Sequence, residues 1–173
     1  MKSWFSILVL VGAFSTSLRA GEVDSQPEAR IVAALEGYDF EYTVKDLHRD
    51  IVHRVATRSV HVDKNAIALS QSEGNVFFQQ SQVHFKDLLP KVVLTEVYIP
   101  GTQTNTGLVR IRVDSKSPSL KCVKNSYLLP QRGWFYDDVS WFEFKVGSLA
   151  IAEKIKADLL LLIQAAQPAN TAK

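Results

Sequence analysis

The chain has 173 residues, 46% of them hydrophobic and 22% charged, with 20 basic and 18 acidic side chains and a single cysteine. That length and composition build one globular domain whose core needs no covalent staples. The near-balance of charge excludes the clustered positive excess that nucleic acid or an anionic membrane rewards, and the lone Cys122 excludes an intrachain disulfide.

The first twenty residues read as a secretory signal peptide. Lys2 supplies a positive start, residues 5–14 are almost wholly apolar, and a more polar stretch ends in Leu-Arg-Ala before Gly21, which places cleavage after Ala20. The apolar run is about half of the ~20 residues that a bilayer core requires, so no membrane anchor is expected after cleavage. Export to the periplasm or beyond the cell follows. Lys2 and Arg19 fall in the leader, which leaves eighteen basic against eighteen acidic residues in the mature chain.

Residues 21–26 form a polar leader. Pro27 opens a helix at its first position, Glu28 suits the positive end of the dipole, and Ile31, Val32 and Leu35 share one side until Gly37. YDFEYTV (38–44) alternates as a half-buried strand does. Residues 46–56 are ambiguous: Leu47, Ile51, Val52 and Val55 fit a helical face that Asp46 would cap, without excluding a strand. From residue 58 the punctuation is that of strands. VHVDKNAIAL reads as a hairpin about Asp-Lys-Asn, SQSEGN and QQSQ read as turns, and KVVLTEVYI, GLVRIRVDS and SLKCVKN read as strands. Six or seven such strands predict an antiparallel barrel or sandwich. Cys122 is expected to fill a strand position as a small apolar group.

WFEFKVGSLAIAEKIKADLLLLI (141–163) changes its period in the middle. Phe142, Phe144 and Val146 share one strand face with Ser140, and Trp141, Glu143 and Lys145 share the other. Gly147 permits a sharp exit and Ser148 is the candidate cap. Leu149, Ala152, Ile155, Leu159, Leu162 and Ile163 then make an apolar stripe, with Glu153, Lys154, Lys156 and Asp158 on the remaining face. The stripe predicts a helix lying over the mouth of the preceding sheet. The expected fold is therefore α+β: a small antiparallel β-barrel or sandwich closed by an amphipathic C-terminal helix, with a helical N-terminal segment. The segments are a signal peptide at 1–20, a helix-and-strand segment at 21–57, the barrel with its helix at 58–166 and a tail at 167–173.

FKDLLPKVVLTEV, RIRVDSKSPSLKCVKN and VSWFEFKVGSLAIAEKIKADLLLLIQA, in that order, resemble the middle strands, the penultimate strands and the final strand plus helix of the pleckstrin-homology-like barrel. The resemblance covers residues 58–166. It implies a fold, not an activity. The basic loop with which lipid-binding members hold phosphoinositides has no counterpart here.

The chemistry-bearing residues are sparse. His48 and His53 are five apart, about 140° around a helix, which is poor for sharing an ion. His61 and Asp63 with His84 form a conceivable two-histidine, one-carboxylate set, but surface or packed histidines are the commoner case, so no metal and no cofactor are expected. Asp137 and Asp138 read as a solvated turn, since adjacent acids on an extended chain point apart. There is no Gly-x-Ser-x-Gly elbow and no Gly-rich phosphate loop. The densest aromatic patch is GWFYDDVSWF (133–142), from which Trp134, Tyr136 and Trp141 are the candidate binding residues. The expected function is an exported non-catalytic module binding a protein, a peptide or a small apolar ligand. The alternative is a small secreted hydrolase or metal-dependent enzyme assembled by the fold.

Overall fold

The computed structural model describes residues 26–45, 50–74, 77–98, 105–117, 120–126 and 135–168. The expected signal peptide, His48 and Trp134 lie outside them. Among the described residues helix α1 (Pro27–Leu35) is followed by nine strands: β1 (Asp39–Lys45), β2 (Asp50–Val62), β3 (Ala66–Glu73), β4 (Phe77–His84), β5 (Leu88–Tyr98), β6 (Asn105–Ser115), β7 (Leu120–Ser126), β8 (Phe135–Val139) and β9 (Trp141–Val146). Helix α2 (Leu149–Ala165) ends the architecture. The strands form a six-stranded antiparallel sheet, ordered β1-β2-β3-β4-β7-β8, and a three-stranded one, ordered β5-β6-β9. This is the expected α+β arrangement with a C-terminal helix. Among the described residues the two sheets do not close into a barrel.

The chain passes between the sheets three times, from β4 to β5, from β6 to β7 and from β8 to β9, and the first and last of these passages are tight corners. A 3-10 turn, Phe85–Asp87, carries β4 into β5, and Ser140 alone separates β8 from β9. At the second corner the Ser140 carbonyl accepts the Ser115 N–H at 2.7 Å.

Period-two burial sets the core. In the small sheet Val109 pairs with Val146, Ile111 with Phe144 and Val113 with Phe142, and all six are buried. Ile67, Leu69 and Val83 from the large sheet join the same cluster, with Ile31 and Leu35 of α1 and Ala152, Ile155, Leu159, Leu162 and Ile163 of α2. Helix α1 packs on α2 and β2, and α2 on α1 and β5. Strand β2 thus runs through the expected segment boundary at residues 57 and 58, with α1 in the shared core.

Several local expectations are settled or corrected. Residues 50–56 belong to β2, not to a helix, because Phe40 faces Val55, Tyr42 faces His53 and Val44 faces Ile51 across an antiparallel ladder. A long-range pairing partner outweighs a short run of helical spacing. QQSQ is not a turn: Gln79 to Gln82 continue β4, opposite β3. Asp137 and Asp138 stand inside β8, opposite Cys122 and Lys121. Cys122 does occupy a strand, β7. Ser148 holds the N-cap position of α2 without a side-chain capping bond, and Leu149 is exposed.

Gly147 is required for a reason beyond the exit from β9. A Cβ built there would overlap the Phe40 ring, and one on Gly107 would sit 3.3 Å from the tip of that ring. The Gly147 N–H also donates to the Tyr38 hydroxyl at 2.5 Å. Overpacking of this kind costs about 1–3 kcal/mol. Gly147→Ala should lower the urea midpoint accordingly, and Phe40→Leu in the same chain should recover part of the loss. An unchanged midpoint would show that Phe40 does not lie on this glycine.

Candidate functional site

The inner face of the large sheet changes character along its length. Ile67 opposite Val83 is apolar, Leu69 opposite Ser81 is mixed, and Gln71 opposite Gln79 is polar. The polar end faces the free edge of β9, which is hydrogen-bonded to a strand, β6, along one side. Unpaired backbone groups at such an edge need partners. Two glutamines supply them. The Gln71 carboxamide donates to the Lys145 carbonyl at 2.7 Å and accepts the Lys145 N–H at 2.9 Å. Gln79 donates to the Glu143 carbonyl at 3.1 Å and to the Ser81 hydroxyl at 3.0 Å. The carboxamides act as fragments of a missing strand and tie the sheets together.

Beside these bridges the sheets part to leave a cleft of about 180 Å³, lined by Gln71, Glu73, Gln79, Arg110, Glu143 and Lys145, with Phe144 among the contacts. Strand alternation explains the lining. Phe142, Phe144 and Val146 turn inward, so Trp141, Glu143 and Lys145 turn outward with Arg110 and Arg112 of β6.

The charges of this face are unequally matched. Lys145 Nζ lies 2.5 Å from Glu73 Oε2. Arg112 Nε lies 2.8 Å from Asp114 Oδ1, and its guanidinium sits 4.4 Å above the Trp141 ring. Arg110 stands opposite Lys145, a like-charge pairing that costs rather than helps. Its nearest carboxylate oxygen, Glu143 Oε2, is 4.0 Å from Nε, too far for a hydrogen bond. Arg110 Nε is buried with no hydrogen-bond partner among the described residues.

Glu73 carries a second contact. The Tyr42 hydroxyl donates to Glu73 Oε1 at 3.4 Å, while its ring stacks on His53 at 5.1 Å. Burial first, then the Glu73 charge and this bond, push the Tyr42 hydroxyl from 10.0 up to about 12. The folded chain therefore holds a proton that the unfolded chain releases. The stabilisation is complete below pH 10.0 and is lost as pH rises toward about 12. Denaturation midpoints over that alkaline range should fall more steeply for the parent than for Tyr42→Phe. Parallel curves would contradict the contact.

Of the candidate binding residues, Trp141 is half-buried on the outer face of β9, two positions from Glu143, with Arg112 over its ring. Tyr136 belongs to β8, opposite Val123. The cleft residues were missed because their segments read as turns (SQSEGN, QQSQ) or as ordinary solvated strand faces. His61 Nε2 and Asp63 Oδ2 are 3.9 Å apart, but the Asp63 carboxylate already accepts the Asn65 and Ala66 N–H groups at 2.7 and 2.8 Å. These two bonds hold its carboxyl below the usual range. Among the described residues, no three His, Cys, Asp or Glu side chains come together as a metal-binding group.

A second depression, about 430 Å³, lies between the helices over Ala33, Ala34, Ile155 and Ala157. Of its three charged lining residues, Arg30 and Asp158 are closed on each other, Arg30 Nε donating at 3.1 Å to both carboxylate oxygens, and Lys154 is the third. Convergent polar groups distinguish the cleft between the sheets, so it is the stronger site.

No protein-family model matches the chain, and no curated protein or solved structure matches it.

Proposed function

We propose that this protein is an exported, non-catalytic binding module that holds a small polar ligand in the cleft between its two sheets. One observation carries the reading: in a cleft where Gln71, Gln79, Glu73 and Lys145 are engaged, Arg110 Nε is buried without a hydrogen-bond partner among the described residues. A buried unsatisfied donor costs about 1–3 kcal/mol, a cost that an incoming acceptor relieves. The engaged state of these four groups supports binding over catalysis. Gln71 and Gln79 hold the β9 backbone, and Lys145 and Glu73 hold each other.

The leader at residues 1–20 supports export. The pleckstrin-homology-like resemblance enters as an analogy of architecture, supported by antiparallel sheets followed by a C-terminal helix. A small apolar ligand suits this cleft poorly, since four of its lining side chains are charged.

A ligand-observed magnetic-resonance screen of small polar compounds tests the proposal, with Arg110→Ala as the counter-screen. Compounds should bind the parent, lose binding to the variant and remain chemically unchanged. Hits indifferent to Arg110→Ala would move the site elsewhere, and turnover of a hit would make the protein an enzyme.

A further inference from the structure

We infer that the ligand class is a small zwitterion whose carboxylate and ammonium are attached to one carbon, as in a free α-amino acid; the inference rests on the cleft being the binding site. The first reason is electrostatic. Arg110 and Lys145 face Glu73 and Glu143, two charges of each sign. A ligand with net charge would leave one sign in excess in a partly desolvated place, whereas a dipolar ligand without net charge leaves none.

The second reason is the division of those four charges into a closed pair and an open one. Lys145 and Glu73 are in contact at 2.5 Å. Arg110 and Glu143 approach to 4.0 Å without a hydrogen bond. The Glu143 carboxylate accepts no hydrogen bond among the described residues, and Arg110 Nε donates none. The open pair therefore offers one donor fork and one acceptor side by side. A carboxylate takes the fork of Arg110, with a small turn of the guanidinium that gives its buried Nε a partner. An ammonium attached one carbon away reaches Glu143. Two charged groups separated by a long chain cannot meet both.

The third reason is size and lining. About 180 Å³ equals the share of some six water molecules at roughly 30 Å³ each, which admits a compact molecule. The cleft lining is charged and amide-rich, and the aromatic residue at its wall, Phe144, turns its ring into the core, so the lining suits polar groups.

Calorimetry on the purified full-length protein tests this with glycine, L-alanine and L-valine beside N-acetyl-L-alanine, L-alanine methyl ester and acetate. At least one free amino acid should bind. Blocking either of its charges should weaken binding about tenfold or more, the scale of one lost charge-assisted hydrogen bond. Arg110→Ala should do the same, Arg110→Lys should retain part of the affinity, and Glu143→Gln should reduce the preference for L-alanine over acetate. Because Arg110 is an outward-facing strand residue, thermal melting of each variant verifies that it folds. Should acetate or a blocked derivative bind as well as the free amino acid, and do so through Arg110, the zwitterion inference fails and the cleft reading survives. Should every probe bind the parent and Arg110→Ala alike, or bind neither, both are overturned.

Discussion

Leu159→Asp should abolish most of the stability of the domain. Leu159 is fully buried within the cluster that joins α1, α2 and both sheets. Truncation of such a leucine typically costs 2–5 kcal/mol, and a buried unpaired carboxylate adds to that. The total is comparable with the ~5–15 kcal/mol by which a domain is stable. Chemical denaturation followed by far-ultraviolet circular dichroism should show a collapsed midpoint or no folded baseline. A variant that unfolds like the parent would detach α2 from the core and overturn the packing of the whole fold.

Arg30→Ala should have the next largest effect. Asp158 is only 6% exposed, although it sits on a helix otherwise readable as one apolar stripe and one solvated face. Arg30 of α1 reaches it from 128 positions away and binds both of its carboxylate oxygens. Removing one partner of a fully buried pair leaves an uncompensated charge and costs about 3–5 kcal/mol, whereas replacing both by apolar residues is often neutral. With the Arg30 side chain 33% exposed, water reaches the pair and the loss falls toward or below the lower end of that range. Urea denaturation should therefore rank Arg30→Ala well below the double variant Arg30→Leu/Asp158→Leu. Equal losses in the two would mean that the pair contributes through packing of its methylenes and not through its charges.

The same pair shows what sequence pattern reveals and what it conceals. The change of period at Gly147 is local, so WFEFKV and the following stripe identify β9 and α2 without help from the rest of the chain. Hairpin chemistry is equally local: Asp63 folds back on Asn65 and Ala66 where Asp-Lys-Asn predicts a turn. Asp158 belonged by sequence to the polar face, because nothing local shows that α1 will cover that face and bring Arg30. The start of β2 is ambiguous by sequence for a similar reason: its apolar residues satisfy helical spacing, yet β1 offers a strand partner residue by residue.

The cleft was less legible still. A glutamine inside a strand looks like a loop residue in composition. Gln71 and Gln79 are instead placed by β3 and β4 to complete the edge of a strand some seventy residues later. Arg110 and Glu143 obey simple alternation, but their mismatch appears only once Arg112 has Asp114 and Trp141, and Lys145 has Glu73. Trp141 was legible as outward-facing; that Arg112 would lie over it was not.

Amide chemical-shift mapping on isotopically labelled protein titrated with L-alanine tests the binding account most directly. Saturable shifts should concentrate at the backbone of Gln71, Glu73, Arg110, Glu143 and Lys145 and at the side-chain amides of Gln71 and Gln79, and all should be absent in Arg110→Ala. Saturable shifts centred on Ala33, Ala34 and Ala157 in the helix groove, or no saturable shifts anywhere, would contradict it.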